Sequence, residues 1–591
     1  MSQIAAPQRE ACLRIAVRAQ LPAILCASMP VVCALLAHPY AETGINDDWS
    51  YIKMVQVLAQ SGHIVYNGWE TAMLGWQLYL GALFVKLFGF SFTAVRSSML
   101  IVAMATAYLL QRTLVRAGLR QWNATLATMT FVLSPMFMAL EFSFMSDISG
   151  VFCMVLCLYM CLRALEAGTP RSMIAWIGFA ALLNAIGGTA RQTAWLGVLV
   201  MVPCTLWLLR RRMQVFLVGT SSCVLGIGLV FASIRWFNQQ PYSVPENLTL
   251  DGIGFKSLEG VLAMALRGGA ALSLLLLPVL LMFVAALRKV NRRMALVFAA
   301  GSLAFALMGL ILFLHHGLDH WLAPFLNGYV SVRGLIDVHS IKGERPVILH
   351  GGLRLLLTVA TIVGLLSLLA VFFGNVPKRP SIPNRAASIG WSELGAILGS
   401  YSAAYIVWLA IRASFGGFND RYLLPLMIPS LLVLARYFQD RVGSNLPIAS
   451  VVLIGIFACF GVAATHDLFA MYRGYAAAID EIRSSGLPAT AISGSWESDG
   501  WAELEAVGYI NEVGIRTPRG AYVFRPAAVF PAGCDGNSLD RVPAIKPVYA
   551  LSFDPRQCDG QAPFPPVTYR TWLAPNVTSI YVVKFPELLR R

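Results

Sequence analysis

Stretches of about twenty apolar residues recur along most of the chain, separated by short polar segments. A membrane-spanning helix needs roughly twenty consecutive apolar residues, so each stretch predicts one span. The pattern predicts about thirteen spans, near residues 20–40, 93–111, 122–140, 148–165, 173–188, 194–209, 214–234, 263–286, 295–314, 352–373, 393–412, 422–437 and 447–465. The sequence therefore indicates a polytopic, all-α membrane domain over residues 1–465.

The composition agrees with this interpretation. Of the 591 residues, 57% are hydrophobic and only 13% are charged, whereas a soluble domain has about 25% charged residues. The net charge of +15 does not indicate nucleic-acid binding, because Lys and Arg cluster in short loops between apolar runs. Cytoplasmic loops of membrane proteins carry this excess of basic residues.

The basic loops also predict the orientation of the chain. Arg9, Arg14 and Arg18 precede the first apolar run, which is longer than the core of a signal peptide and is not followed by a clear cleavage site. We therefore expect a retained first span, a cytoplasmic N-terminus and a plasma (inner) membrane location. An odd number of spans then places the last segment, residues 466–591, outside the cytoplasm.

Residues 466–591, called the tail below, have Gly, Pro and charged residues in ordinary amounts and predict a small extracytoplasmic α/β domain. Helical patterns lie near 468–485 and 499–511, and β-rich runs lie at 549–553, 567–573 and 578–585. Cys534 and Cys558 form a disulfide if they meet in an oxidising compartment. The sequence alone does not supply that geometry.

The first external loop, residues 41–92, contains two adjacent carboxylates, Asp47 and Asp48. The pattern over 46–62 predicts an amphipathic helix along the membrane surface, with Trp49, Ile52, Val55 and Leu58 facing lipid or protein. In one interpretation Asn46 caps this helix and the carboxylates complement its dipole. In the other they take part in chemistry. Neighbouring helical residues point about 100° apart, so at most one carboxylate reaches a substrate.

Three further polar features lie on the same predicted side. Asp147 stands at the start of a span, where it either caps the helix or serves a site. Arg191 lies in a very short outer turn, where a cation needs an anionic ligand or a carboxylate partner. Arg421 and Tyr422 open the predicted twelfth span, either as interface anchors or as part of a site.

A cluster of histidines lies at the outer end of the predicted ninth span. His316 and His320 are one helical turn apart, a spacing that can hold a divalent metal. A hydrogen-bonded helix end and a polar rim that contacts substrate are the alternatives, and no cofactor is firmly expected. Trp69, Trp76 and Trp321 are either sugar platforms or tryptophans of the membrane interface.

The order and spacing of these features over about 35–465 resemble the GT-C glycosyltransferases that use lipid-linked sugars, including protein O-mannosyltransferases and lipid A aminoarabinose transferases. The motif MSD at 145–147, Arg191 and DRYLLP at 420–425 resemble later motifs of the family. After Glu70 the lipid A enzymes have a Lys and then a Pro pair, whereas this chain has Thr71, Ala72 and Met73. In the first loop the similar positions are Asp47, Tyr51, Ser61, Gly62, Glu70, Gly75, Leu87, Phe88, Gly89 and Arg96.

The resemblance implies an inverting transferase that moves a sugar from a polyprenyl-phosphate donor to a hydroxyl group of a glycan, lipid or protein acceptor. It implies catalytic roles for the acidic pair and Asp147, with Asp47 as general base and Asp147 orienting the acceptor or the base. Donor phosphate would contact Arg191, Arg421 and Tyr422, and substrate would contact Tyr51, Glu70, His316 and His320.

Two other classes of protein remain open from the sequence. A transporter or flippase of lipid-linked saccharides predicts ionisable residues at mid-membrane depth, whereas here they crowd the outer rim. A membrane scaffold would leave Asp47 and Arg191 without a chemical role. The sequence does not name the sugar or the acceptor.

Overall fold

The computed structural model describes residues 6–246, 255–291, 293–294, 296–297, 299–304, 307, 321–337, 341–374, 389–415, 418–525, 534, 539–573 and 575–586. These residues are mostly helical, which confirms the predicted class. Their α-helices include Ala6–Ala37, Asp48–Ser61, Gly75–Phe88, Phe92–Arg116, Gln121–Val132, Pro135–Glu141, Ser146–Glu166, Pro170–Gly187, Val202–Leu208, Met213–Gln239, Phe255–Leu275, Leu277–Leu280, Met282–Ala286, Gly351–Phe373, Trp391–Leu394, Ser400–Ser414, Leu424–Arg441, Ile448–Ser484 and Trp496–Ala506.

Within the described residues the number of spans is smaller than predicted. Eight helices are long and apolar enough to cross a membrane, or up to ten if each of two bent pairs is one span. The predicted span 122–140 bends by 63° before Pro135, since proline lacks the N–H that would continue the helix. The Ser134 side chain caps the second piece. Most of the predicted span 295–314 lies outside the described residues.

The two ends of the bundle carry different residues. At one end, Arg116 pairs with Glu166, and Arg436 donates a hydrogen bond of 2.7 Å to the Ala117 carbonyl. Loops predicted to be basic therefore lie together. At the opposite end the helices Phe92–Arg116 and Ser146–Glu166 begin beside the first loop, where the Phe92 N–H donates to Glu42 over 2.8 Å.

The predicted surface helix is observed as Asp48–Ser61, and its apolar face packs against protein. Trp49, Ile52, Val55 and Leu58 are all buried. The capping interpretation of Asn46 is wrong, because the helix begins after Asp47 and has no side-chain cap. The Asn46 amide instead donates to the Tyr329 hydroxyl, so the start of this helix is held by a tertiary contact.

The tail contains a four-stranded sheet in the order Ile492–Ser493, Tyr549–Ser552, Val577–Lys584 and Val567–Arg570. The first pair is parallel and the other two are antiparallel. The three strands predicted from the sequence are thereby confirmed, and the predicted helix 499–511 is observed at Trp496–Ala506. Cys534 and Cys558 form a disulfide.

One uninterrupted helix, Ile448–Ser484, joins the last span to the tail. The sequence predicted two helices here, 447–465 and 468–485, and this detail is wrong because no helix-breaking residue separates them. The division of the chain into domains at residues 465 and 466 stays a prediction.

The tail folds back over the first external loop. The Ile510 N–H donates to the Asn67 carbonyl over 2.8 Å, and the Asn46 N–H donates to Glu497 over 3.1 Å. Glu497 also accepts a hydrogen bond from the Tyr472 hydroxyl over 2.8 Å. These contacts place the tail against the segment that carries Asp47.

Candidate active site

A cavity of about 570 Å³ opens where the tail, the first loop and the ends of the membrane helices opposite the basic loops meet. Its wall combines charged and aromatic side chains with an apolar surface. The polar and aromatic lining residues include Asp47, Tyr51, Trp69, Arg191, Trp195, Glu246, Trp408, Arg412, Arg421, Tyr422, Glu512 and Arg541. Asp47, Tyr51, Arg191, Arg421 and Tyr422, predicted from distant parts of the chain, thus share one cavity.

Asp47 lies on the cavity wall at the start of the helix Asp48–Ser61. Its Oδ1 accepts a hydrogen bond of 3.0 Å from the indole N–H of Trp69. Burial raises the pKa of Asp47 above its ordinary value, while the positive charge of Arg421 and the Trp69 hydrogen bond oppose that rise. The carboxyl is therefore in a site that favours proton uptake more than water does.

Asp48 points away from this cavity, and its predicted catalytic role is corrected by its contacts. It is fully buried and forms an ion pair of 2.8 Å with Arg96. It also accepts the N–H of Ile45 over 2.7 Å. These partners make Asp48 a structural residue of the first loop.

Asp147 lies behind two arginines. It forms ion pairs with Arg191 over 3.0 Å and with Arg421 over 3.8 Å. A Cβ at Gly150 would lie 2.8 Å from the Arg191 side chain, so glycine there permits this approach. Asp147 does not line the large cavity, and it makes no capping bond in the helix Ser146–Glu166. Its geometry suits positioning of the arginines, not the predicted contact with an acceptor.

The ring of Tyr422 is surrounded by three guanidinium groups. The distances from the ring centroid are 5.4 Å to Arg191, 5.5 Å to Arg421 and 5.7 Å to Arg412. Arg412 also donates to the Tyr422 hydroxyl over 3.3 Å and pairs with Glu246 over 2.7 Å. Cations on an aromatic face favour an anionic ligand beside them.

Sequence reasoning missed Arg412, Glu246, Glu512 and Arg541. Arg412 is the last residue of the predicted span 393–412, and a charge at the end of an apolar run was a signal that was not used. Glu512 and Arg541 come from irregular segments of the tail and pair with each other over 3.4 Å. Nothing in the local pattern connects them to the membrane domain.

Glu70 does not contact the cavity, which corrects its predicted substrate contact. It is buried and accepts a hydrogen bond from the Ser50 hydroxyl. Burial raises the pKa of Glu70 to about 8, since the charged form loses its hydration. Glu70 therefore belongs to the packing beneath the helix Asp48–Ser61.

Of the predicted tryptophan and histidine contacts, the structure brings some to the cavity and not others. Trp69 lines the cavity, whereas Trp76 lies elsewhere and donates to the Gly187 carbonyl over 3.1 Å. His316 and His320 lie outside the described residues. In the part of the chain that the structure describes, no group of three or more His, Cys, Asp or Glu side chains could hold a metal.

Residues 76–236, about a quarter of the chain, match the family model described as dolichyl-phosphate-mannose-protein mannosyltransferase. This segment carries Asp147 and Arg191. The match agrees with the resemblance predicted from the sequence: this segment is similar to a family of mannosyltransferases that use a lipid-phosphate-linked sugar. Among curated proteins, none matches the chain.

Some solved structures are also similar to this chain at low identity. ArnT from Cupriavidus metallidurans in the apo state is 15% identical over 84% of each chain, with a TM-score of 0.36. AglB from Archaeoglobus fulgidus is 13% identical over 89% of this chain and 69% of that chain, with a TM-score of 0.40. The Pmt1–Pmt2 complex from S. cerevisiae is 13% identical over 40% of this chain and 34% of that chain, with a TM-score of 0.29. Because these TM-scores are low, no argument rests on these structures.

Proposed function

We propose that the protein moves a sugar from a polyprenyl-phosphate donor to a hydroxyl acceptor, with inversion, on the extracytoplasmic face of the plasma membrane. The observation that carries this proposal is the convergence of Asp47, Arg191 and Arg421 on one cavity that also has an apolar wall. Such a reaction requires a carboxylate for the acceptor proton, cations for the donor phosphate and an apolar wall for the lipid chain.

The apolar wall supports a lipid donor. It is formed by Leu196, Leu199, Val230, Phe231 and Ile234, which belong to two neighbouring helical segments of the bundle. Leu199 and Phe231 are 42% and 66% exposed on the protein surface, where the surrounding solvent would be lipid. An isoprenoid chain can therefore leave the cavity sideways between membrane lipids and protein.

The arginines support a phosphate contact. Arg191 and Arg421 share the single carboxylate Asp147, so this group of three side chains carries a net positive charge. A guanidinium fork matches phosphate oxygens, and charge that develops on a leaving group is stabilised most by donors fixed beforehand. The buried Asp147 pairs with Arg191 over 3.0 Å and lies 3.8 Å from Arg421, so it holds the Arg191 fork directly.

Asp47 supports base catalysis. In the described residues its Oδ1 is hydrogen-bonded to Trp69, and no partner occupies its Oδ2. In the proposed step the acceptor hydroxyl gives its proton to Asp47, its oxygen bonds to the anomeric carbon, and the bond from that carbon to phosphate oxygen breaks. Polyprenyl phosphate leaves as the anion held by the arginines. Positioned base catalysis contributes about 10²–10⁴-fold.

The distribution of charge supports the orientation. The basic loops lie together at one end of the bundle, and the cavity lies at the other end together with the tail. If the basic end is cytoplasmic, the cavity faces outward. The acceptor would then be a glycan, lipid or protein of the cell envelope.

The test uses membranes that contain the full chain, undecaprenyl-phosphate-linked mannose, glucose, galactose or aminoarabinose, and an envelope extract as acceptor. The readout is release of undecaprenyl phosphate with transfer of the labelled sugar. Asp47→Asn should lower transfer by about 10²–10⁴-fold. Asp480→Asn, at an exposed position of the helix Ile448–Ser484, is the matched control and should behave as wild type.

Two results would contradict the proposal. If Asp47→Asn transfers sugar at the wild-type rate, Asp47 is not the base. If the wild type transfers none of the four sugars but moves the lipid-linked sugar between leaflets of proteoliposomes, the protein is a transporter.

A further inference from the structure

Three tryptophans form one cluster between the first loop and the tail. Trp69 and Trp496 are 4.7 Å apart between ring centroids. Trp49 lies 5.8 Å from Trp496 and 6.3 Å from Trp69. Since Trp496 opens the tail helix Trp496–Ala506, the cluster joins the tail to the loop that carries Asp47. Packing alone accounts for the three rings.

Packing does not account for the direction of the indole N–H groups. Among the described residues, the buried Nε1 atoms of Trp49 and Trp496 have no hydrogen-bond partner. The Nε1 of Trp69 instead donates to Asp47 Oδ1 over 3.0 Å. A buried N–H without a partner costs roughly 1–3 kcal/mol, and both Trp49 and Trp496 carry this cost. Trp69 is the member of the cluster whose N–H is directed at the carboxylate in the cavity.

We infer that Trp69 is a positioning residue, which holds the Asp47 carboxylate through its indole N–H so that the second oxygen receives the acceptor proton. This inference rests on the proposed function, because it gives Trp69 its role through Asp47. The sequence-based alternatives for Trp69, a sugar platform or an interface tryptophan, require no such bond.

The charges around Trp69 agree with this role. Its other neighbours hold the ring in place: the Arg541 guanidinium lies 5.6 Å from the ring centroid, and Arg541 is paired with Glu512. The ring is thus fixed on one side by the tryptophan cluster and contacted by a tail cation. A fixed donor orients a carboxylate better than a mobile water does.

The first test is Trp69→Phe, which keeps an aromatic ring but removes the N–H. With the donor from the four-sugar panel that the wild type uses, we expect kcat to fall about 10- to 100-fold with little change in the donor KM. The N–H stabilises the charged form of Asp47, so its removal should move the acidic limb of the pH–rate profile to higher pH.

The matched control is Trp496→Phe. It perturbs the same cluster and removes an N–H that has no partner, so its pH–rate profile should match that of the wild type. If Trp69→Phe does not fold, benzothienylalanine at position 69 keeps the bicyclic shape and lacks the N–H. The same shift of the acidic limb is expected from it.

The outcomes separate the two proposals. If Asp47→Asn is inactive but neither variant at position 69 moves the acidic limb, Trp69 does not position Asp47 while the proposed function stands. If Trp496→Phe moves the limb as far as Trp69→Phe does, the effect comes from packing and the inference is wrong. If Asp47→Asn keeps wild-type activity, both proposals fail.

Discussion

Arg191 and Asp147 form an ion pair of 3.0 Å in which the carboxylate is almost completely buried. The pair connects the short turn after the helix Pro170–Gly187 to the first turn of the helix Ser146–Glu166. The sequence analysis expects Arg191 to need an anionic ligand or a carboxylate partner, and Asp147 is that carboxylate. Arg421 shares the same partner.

This sharing predicts the behaviour of Asp147→Asn. The neutral amide leaves two guanidinium groups without their common counter-charge, and loss of one charge of a buried ion pair costs roughly 3–5 kcal/mol. We expect transfer to fall at least tenfold while undecaprenyl phosphate, the product, inhibits more strongly. Inhibition constants in membranes give the measurement. This stronger inhibition follows from the added net positive charge beside the phosphate, and weaker product inhibition than in the wild type would contradict that charge argument.

Arg421→Lys tests the phosphate contact. Lysine keeps the charge but loses the planar fork that contacts two oxygens. We expect the KM for the lipid-linked donor to rise about tenfold. Arg211→Lys, at an exposed position of a basic loop, is the control and should leave KM unchanged. An unchanged KM for Arg421→Lys would remove Arg421 from the donor site.

Because Asp48 and Arg96 form a buried ion pair, we expect substitution of Asp48 to lower the stability of the protein and not its rate of sugar transfer. Asp48→Asn removes the negative charge beside the buried Arg96 guanidinium, whose bonds to the Ala41 and Thr43 carbonyls do not replace that charge. Thermal unfolding in detergent should shift down, by an energy on the order of 3 kcal/mol. Transfer per folded molecule should stay within a few fold of wild type. A large loss of transfer at unchanged thermal stability would restore a catalytic role for Asp48.

Glu70 predicts a dependence of stability on pH. Its pKa in the folded protein is about 8, well above the value of about 4.3 in an unfolded chain. Between these values the folded state holds a proton that the unfolded state releases, so stability decreases as the pH rises from about 4.3 to 8. Glu70→Gln should lose less stability between pH 5 and pH 8 than the wild type, measured by thermal unfolding. Parallel curves would contradict this assignment.

The sequence predicted five residues that line one cavity in the structure, namely Asp47, Tyr51, Arg191, Arg421 and Tyr422, and their catalytic and binding roles stay predictions. Helix geometry predicted that at most one of two adjacent carboxylates reaches a substrate, and in the structure Asp47 lines the cavity while Asp48 does not. Which one it is depends on Arg96, whose approach is a tertiary contact. Hydropathy does not predict the 63° bend before Pro135, because it is an average over a window of residues and carries no information about the direction of the helix axis.

The contributions of the tail were the least predictable part. Arg541 and Glu512 enter the cavity from irregular segments, where neither periodicity nor a cap marks them. Arg412 differs from these tail residues, because a charge at the end of an apolar run is a signal in the sequence. Long-range proximity of this kind depends on the packing of the whole chain, which local patterns do not contain.

The uninterrupted helix Ile448–Ser484 has a mechanical consequence. Its 37 residues give a length of about 55 Å, nearly twice the roughly 30 Å of a bilayer core. This continuous helix, and not a flexible linker, therefore fixes the distance of the tail from the membrane and its rotation about the helix axis. Two residues inserted into this helix would turn the tail by about 200° about the helix axis. The tail residues that contact the first loop would then no longer face it.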